Sequence, residues 1–333
     1  MKYFTTSGPC EADRNYMMDV SEKVDAIAAA VEQEKFFTIA RSEKAGKTTL
    51  LKAAQKALAN RYRVIFLDMR VFTREQAPEE ADDPAEANET AVFCRQMAEA
   101  LQAQADAEED SLFMPEEIRE ALHQICSREP RYVFLLELFV IFEQWISMSE
   151  KPFVLMLDNA DSMMSRQVFW DFMNMLRTGY VQKQKGAPGF TSVIFTAPVD
   201  IRYAEILIGD DVSKLKIIPW NIGSDLEADL DFGEAEIAAM LREYCQDHEV
   251  GTEEDISEAA RSIFKATGGQ PCLVSRICRV AEETAADKQG NAGGRALTSK
   301  DVIDHAVSRV LAQDNTSIID SWTTYRVANT ECL

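Results

Sequence analysis

Four consecutive residues, Gly46-Lys47-Thr48-Thr49, combine the groups that hold a nucleoside triphosphate. Glycine lets a backbone approach an anion closely, the lysine ammonium reaches the β- and γ-phosphates, and the hydroxyl directly after it ligates magnesium. Ala45 precedes them, so Ala45 to Thr49 is the candidate phosphate cradle, with Thr48 as a metal ligand. Further along, Val154-Leu155-Met156-Leu157-Asp158 is an apolar run that ends in a carboxylate, the form of a Walker B strand that offers Asp158 as a second magnesium ligand. The plain alternatives are a strand-to-helix loop holding Gly-Lys-Thr by chance and a buried strand whose terminal aspartate caps a helix. The two segments together, in this order, favour ATP with magnesium.

Two departures from the usual P-loop pattern stand in the same segments. The position five residues before Gly46, where that pattern has glycine, is Arg41, so either Arg41 takes an ordinary backbone conformation or the loop differs locally. P-loop ATPases of the additional-strand class carry a glutamate directly after the Walker B aspartate to polarise the attacking water; here that residue is Asn159. An amide can hydrogen-bond a water but cannot take its proton. Asp161 is a substitute candidate, with capping of the next helix as its blander role, and Thr196 is a candidate γ-phosphate sensor or simply a good strand residue. Arg177, Arg202 and Arg276 are the candidates for a phosphate-facing arginine.

These residues need a parallel α/β scaffold, and the chain reads as one. Lys35 to Ala40, Arg63 to Asp68, Pro152 to Asp158 and Ser192 to Thr196 are runs of β-formers, and Lys214 to Ile218 is a candidate fifth strand. Helical patterns lie at Thr48 to Leu58, Thr90 to Ala107, Pro115 to Cys126, Tyr132 to Ser147 and Gln167 to Arg177. Strands alternating with helices predict a parallel, doubly wound P-loop NTPase sheet. Glu75 to Glu89 reads as an acidic solvated loop and Gln182 to Gly189 as a polar turn. After Pro219-Trp220-Asn221-Ile222, helices at Gly233 to Asp247, Glu253 to Ala266, Cys272 to Ala286 and Ser299 to Ala312 follow without a clear strand. The expected division is therefore a nucleotide-binding α/β domain over 1–230, a helical lid over 231–312 and a tail over 313–333.

The chain has 333 residues with 35 Lys and Arg against 56 Asp and Glu, a net charge of −21, which disfavours nucleic acid as a partner. Seven scattered cysteines without a CxxC pair predict reduced thiols in a cytoplasm, and the N-terminus lacks the pattern of a signal peptide. The most apolar stretch, Tyr132 to Ile146, is too short to span a bilayer and carries Glu137 and Glu143, so a buried helix and no membrane span are expected.

The chain resembles the bacterial AAA-like domain P-loop ATPases, a family similar to the signal-transduction and origin-recognition branches of the AAA+ proteins. The resemblance runs over about residues 1 to 290, through Thr6 to Cys10, Tyr16-Met17-Met18, Gly46 to Thr49, the strand ending at Asp158, Leu176 to Tyr180, Pro219 to Ile222 and Gly268 to Val274. It implies an adenine pocket formed by the segment around Tyr16 and Met17 and by the lid at Gly269-Gln270-Pro271, where Pro271 also reads as a plain helix start. Relatives often carry a further effector domain, which the resemblance leaves open here.

Three functions remain open at this stage. The first is an ATPase, weak or impaired by Asn159, that couples nucleotide state to lid movement and to an unknown protein partner or self-association. The second is a non-hydrolysing nucleotide-dependent switch. The third is a P-loop small-molecule kinase, against which the separate helical region argues.

Overall fold

The short apolar runs become strands and the periodic segments between them become helices. The computed structural model describes residues 2–73, 89–108, 110, 113–198, 200–203, 205–207, 215–217, 220–226, 230–287 and 296–312. The expected acidic loop lies largely outside them, as do Pro219 and the tail at 313–333. The described residues fall into two compact units that interleave along the chain. One draws on 27–40 and 54–226, the other on 1–26, 41–53 and 227–333.

The first unit is built on a four-stranded parallel sheet in the order β1-β4-β3-β2, with β1 at Phe36–Ala40, β2 at Arg63–Asp68, β3 at Phe153–Asp158 and β4 at Ser192–Ala197. All six residues of β3 and all six of β4 are buried, as both-face coverage of a parallel sheet demands. Phe153, Leu155 and Leu157 share one face by the two-residue period, and on that face they join a core with α3 (Glu89–Ala107), α4 (Glu116–Ser127), α5 (Leu135–Met148) and α6 (Gln167–Lys183). Because every strand is parallel, Ala40, Asp68, Asp158 and Ala197 end on one edge of the sheet. That edge is where open α/β sheets place ligands.

The fifth strand does not join this sheet. Leu215–Ile217 (β6) pairs antiparallel with Glu205–Leu207 (β5) in a separate ribbon. Where a fifth strand would flank β1, the segment at 220–224 covers the edge instead. Ser224 N–H donates to the Phe36 carbonyl at 2.7 Å, Gly223 forms a single bridge with Phe36, and the Trp220 ring stacks over Phe36.

The long apolar stretch forms α5, preceded by a 3₁₀ turn at Pro130–Tyr132. It is only half-buried: Leu138, Phe142 and Trp145 point inward, whereas Leu136 and Val140 are 62% and 54% exposed. α6 runs on to Lys183 rather than ending near Arg177, so the expected polar turn begins inside the helix. Among the described residues no helix is long and apolar enough to cross a membrane, and six cysteines are free thiols.

The second unit contains the N-terminal segment, the loop at 41–46 with the start of α2 (Lys47–Leu58), and four helices: α7 (Glu234–His248), α8 (Glu253–Thr267), α9 (Pro271–Asp287) and α10 (Lys300–Leu311). Their apolar stripes meet in a core around Ile237, Leu241, Ile263, Val274, Ile277 and Val302. α8 begins at a reciprocal cap, Thr252 with Asp255, and ends at Gly268, which is left-handed as a C-terminal cap. One helix was not expected: α1, Ser21–Glu32, starts where the Asp19 carboxylate accepts from the Ser21 N–H at 2.9 Å and from its hydroxyl at 2.6 Å.

Candidate functional site

The loop that follows β1 folds without a glycine at its start. The left-handed residues are Lys44, at φ 55°, and Gly46, at φ 81°, whereas Arg41 has an ordinary negative φ. No glycine is needed at position 41, which resolves the first departure seen in the sequence. The Arg41 side chain is buried, pairs with Asp231 at 3.3 Å and lies over the Phe232 ring, so it serves as packing within the helical unit.

The Lys47 ammonium is 92% enclosed together with its stem and donates to the carbonyls of Arg41 at 2.8 Å and Ser42 at 2.9 Å. A buried ammonium needs acceptors, and here the loop's own backbone provides them. The charge is thus held at the mouth of the loop, at the N-terminus of α2, where backbone N–H groups and the helix dipole favour an anion. Ala45 is buried beneath the loop, Thr48 and Thr49 stand on the first turn of α2, and the Thr49 hydroxyl accepts from the Cys10 N–H at 3.0 Å.

The Gly268-Gly269-Gln270-Pro271 turn belongs to the same unit, and sequence reasoning missed what Gln270 does. Its amide donates to the carbonyls of Glu43 and Lys44, both at 3.2 Å, and its oxygen accepts from the Leu273 N–H at 2.8 Å. The loop's outward carbonyls are thereby satisfied while α9 gains a side-chain cap. Pro271 is the first residue of α9, as its helix-start reading predicts, and its ring lies 3.6 Å from where a Cβ on Gly46 would stand. Arg41, Ser42, Ala45, Asp231, Gly269 and Gln270 line a small cleft beside the loop.

Tyr16 does not offer its ring to a base. It is fully enclosed, with the Phe4 and Tyr244 rings at 5.1 and 5.2 Å, and its hydroxyl donates to Asp247 at 2.9 Å. The expectation of adenine contact at Tyr16 is corrected accordingly: the residue anchors the N-terminal segment to α7. Met17 beside it is half-buried.

In the sheet unit, Asp158 is fully buried and accepts a short hydrogen bond from the Thr196 hydroxyl. The same hydroxyl oxygen accepts from the Asn159 N–H at 2.9 Å, so Thr196 links the end of β4 to both residues after the apolar run of β3. Asn159 is left-handed, at φ 57° and ψ 44°, a conformation that asparagine tolerates better than glutamate does. Its side-chain amide donates to Asp68 at 3.1 Å.

Asp68 was not singled out from the sequence, although Arg63–Asp68 has the same form as the strand ending at Asp158. Register places Asp68 directly opposite Asp158. Arg70 grips it through the backbone N–H at 3.1 Å, Nε at 3.0 Å and Nη2 at 2.6 Å. Burial would raise the Asp68 carboxyl, but the hydrogen bonds from Arg70 and Asn159 outweigh it and hold the group below the usual carboxylate value.

Asp161 is exposed and lies within the 3₁₀ turn Ala160–Met163, whose N-cap position belongs to Asn159, and the N-cap position of α6 is Arg166. Asp161 thus stands at neither N-cap position, where the capping role expected of it would have placed it. Of the arginine candidates, Arg177 donates to Asn221 at 2.9 Å and Arg202 is clamped by Asp200 and Asp225.

No family model matches the chain, and no curated protein does. Among solved structures, the ORC2 protein of Aeropyrum pernix, in its ADPNP-ADP complexes, is similar at 12% identity and a TM-score of 0.50, with 92% of this chain and 70% of that one covered. The Cdc6p structure from Pyrobaculum aerophilum aligns at 12% identity and a TM-score of 0.47, over 86% of this chain and 66% of that one. The ORC1 protein of Aeropyrum pernix in complex with DNA aligns at 12% identity and a TM-score of 0.44, over 88% and 66%. The likeness to ORC2 shows the fold: an α/β architecture on a parallel sheet with a helical region after it.

Proposed function

We propose that this chain is an ATP-binding AAA-like protein of the cytoplasm with weak ATPase activity, in which nucleotide state is coupled to movement of the helical region and, through it, to a protein partner or a second copy. The observation that carries the reading is Lys47, an enclosed ammonium held by two loop carbonyls at the N-terminus of α2. Phosphate oxygens are stronger acceptors than those carbonyls and would take them over. The donor set fits the group: Ala45 to Thr49 would cradle the phosphates, and Thr48 and Asp158 are hard oxygen ligands suited to magnesium. Bound magnesium would supply charge neutralisation on the phosphates. Thr196, hydrogen-bonded to Asp158, is the candidate γ-phosphate sensor in this reading. Adenine recognition falls to Met17 and the turn ending at Pro271. The ADPNP and ADP complexes of the ORC2 neighbour support the nucleotide class.

The second reading, a switch that binds without turning over, is favoured by one observation. The residue after Asp158 is an amide whose donor is already engaged by Asp68.

Titration of magnesium-ATP into the native chain and Lys47→Ala tests the proposal. Loss of charge-assisted hydrogen bonds worth about 1.5–3 kcal/mol predicts affinity weakened by roughly 10- to 150-fold in Lys47→Ala. AMP, which lacks the phosphates Lys47 would meet, should bind both proteins equally. A native chain that binds no ATP would refute the reading.

A further inference from the structure

The sheet unit carries an apolar surface that nucleotide binding does not use. A helix apolar on all sides is normally enclosed, yet α5 leaves Leu136 and Val140 in solvent. With the exposed Glu143 they stand at i, i+4 and i+7, so the three form one outward stripe. Glu143 also lines a recess between α5 and α6, walled by Phe36, Phe142, Tyr180 and Phe190. Edge-on ring contacts fix those walls, Phe36 with Tyr180 at 4.9 Å and Phe142 with Phe190 at 5.3 Å. Gly179 lines the same recess from the interior of α6. Glycine there is less favourable than alanine, and no heavy atom among the described residues lies within 4 Å of where its Cβ would stand. Packing within the unit therefore does not ask for glycine, whereas a group approaching the bare backbone from outside does.

Size and charge select the occupant. The cavity volume is about 20 Å³, the scale of one water-sized group and far below a small-molecule site, so the recess fits the tip of a side chain presented by a larger partner. Glu143 forms no ion pair among the described residues, and the chain carries a net charge of −21. A second copy would meet like charge, whereas a cationic partner is attracted. We propose that the α5–α6 face is a docking surface for a basic amphipathic helix of a protein partner. One apolar side chain of that helix enters the recess over Gly179, others lie along Leu136 and Val140, and a Lys or Arg pairs with Glu143. The surface lies wholly within the sheet unit and stands whether or not ATP is bound.

The probes are a labelled helix-forming peptide of Leu and Lys, about 18 residues long with leucine on one face, and its counterpart with Glu for each Lys. Fluorescence anisotropy at about 0.15 M salt, where distant charges are screened, would compare native protein, Glu143→Lys and Gly179→Ala. The native chain is expected to bind the Lys peptide and not the Glu peptide. Glu143→Lys, which replaces an ion pair by a like charge, should weaken the Lys peptide about tenfold. Gly179→Ala should raise the urea midpoint, because alanine is the better helix former, and still weaken the Lys peptide by about tenfold or more, because the added methyl fills the recess. A variant more stable than the native chain that binds less well has not lost binding through unfolding. No binding of the Lys peptide by the native chain, equal affinity in all three proteins, or equal binding of the Glu peptide overturns the proposal. Self-association of the native chain in sedimentation that Gly179→Ala abolishes would assign the recess to a second copy and overturn the basic partner. None of these outcomes bears on the titration of magnesium-ATP, so failure here leaves the nucleotide reading intact.

Discussion

Gly269→Ala is expected to destabilise the helical unit by roughly 3 to 5 kcal/mol, enough to unfold a marginal domain. Two effects add. Gly269 sits at φ +79°, and a Cβ there would lie 1.9 Å from the Phe232 carbonyl oxygen, a backbone atom that no rotamer change can move. Left-handed strain alone is worth about 1 kcal/mol, and the remainder is the displacement of 232 or of the turn. Gly8→Ala is the matched control: its φ is +74° and nothing lies within 4 Å of the added atom, so only the strain of about 1 kcal/mol should appear. Urea melts of the two variants separate the effects. Equal losses would mean that the close approach at Phe232 relaxes without cost. The functional consequence follows from Gln270, whose amide satisfies Glu43 and Lys44 carbonyls: if the turn shifts, the loop at 41–46 loses its partners, and ATP affinity should fall together with stability.

That coupling could not be read from the chain, and the reason is physical. A phosphate loop is contiguous, so Gly46 to Thr48 and the strand-to-helix change around them are visible in composition alone. The strands at Phe153 and Ser192 were equally legible because burial on both faces fills them with apolar residues, and the strand at Arg63 because its β-formers run unbroken from Val64 to Leu67. What depends on register was not. Asp68 and Asn159 meet only because β2 and β3 align residue for residue, and nothing local to either residue announces it. Arg41 looked like a defect because the pattern specifies a residue type, whereas the backbone requires only a φ, and here the positive values fall on Lys44 and Gly46. Tyr16 failed as a base contact for the opposite reason: an aromatic near an N-terminus carries no sign of whether its ring is a surface or a core, and Phe4 and Tyr244 decide that from distant positions. The candidate fifth strand at 214–218 had β-forming residues, but a strand also needs an open edge, and the segment at 220–224 already covers β1.

That covering segment leads to the second large effect. Trp220→Ala is expected to cost about 3–5 kcal/mol, the range for deleting a buried aromatic. The Trp220 ring is 1% exposed, lies parallel to Phe36 at 6.1 Å and meets the Phe195 ring edge-on at 5.1 Å, so it bridges β1 and β4 on one face. Its loss would release the Ser224 bond to Phe36 and expose the edge of β1, the strand that precedes the loop at 41–46. Trp220→Phe provides the finer test. The Trp220 indole N–H is buried without a hydrogen-bond partner among the described residues, whereas that of Trp145, equally enclosed, donates to the Phe113 carbonyl at 3.0 Å. Phenylalanine at 220 removes an unsatisfied donor along with some packing, and phenylalanine at 145 removes packing and strands a carbonyl. An unmet buried polar group costs about 1–3 kcal/mol, so Trp145→Phe should be the more destabilising of the two by about that amount. Chemical denaturation of both variants decides it. Equal losses would mean that ring volume alone governs both sites, and the edge of β1 would then be held by Ser224 and Gly223 rather than by the indole.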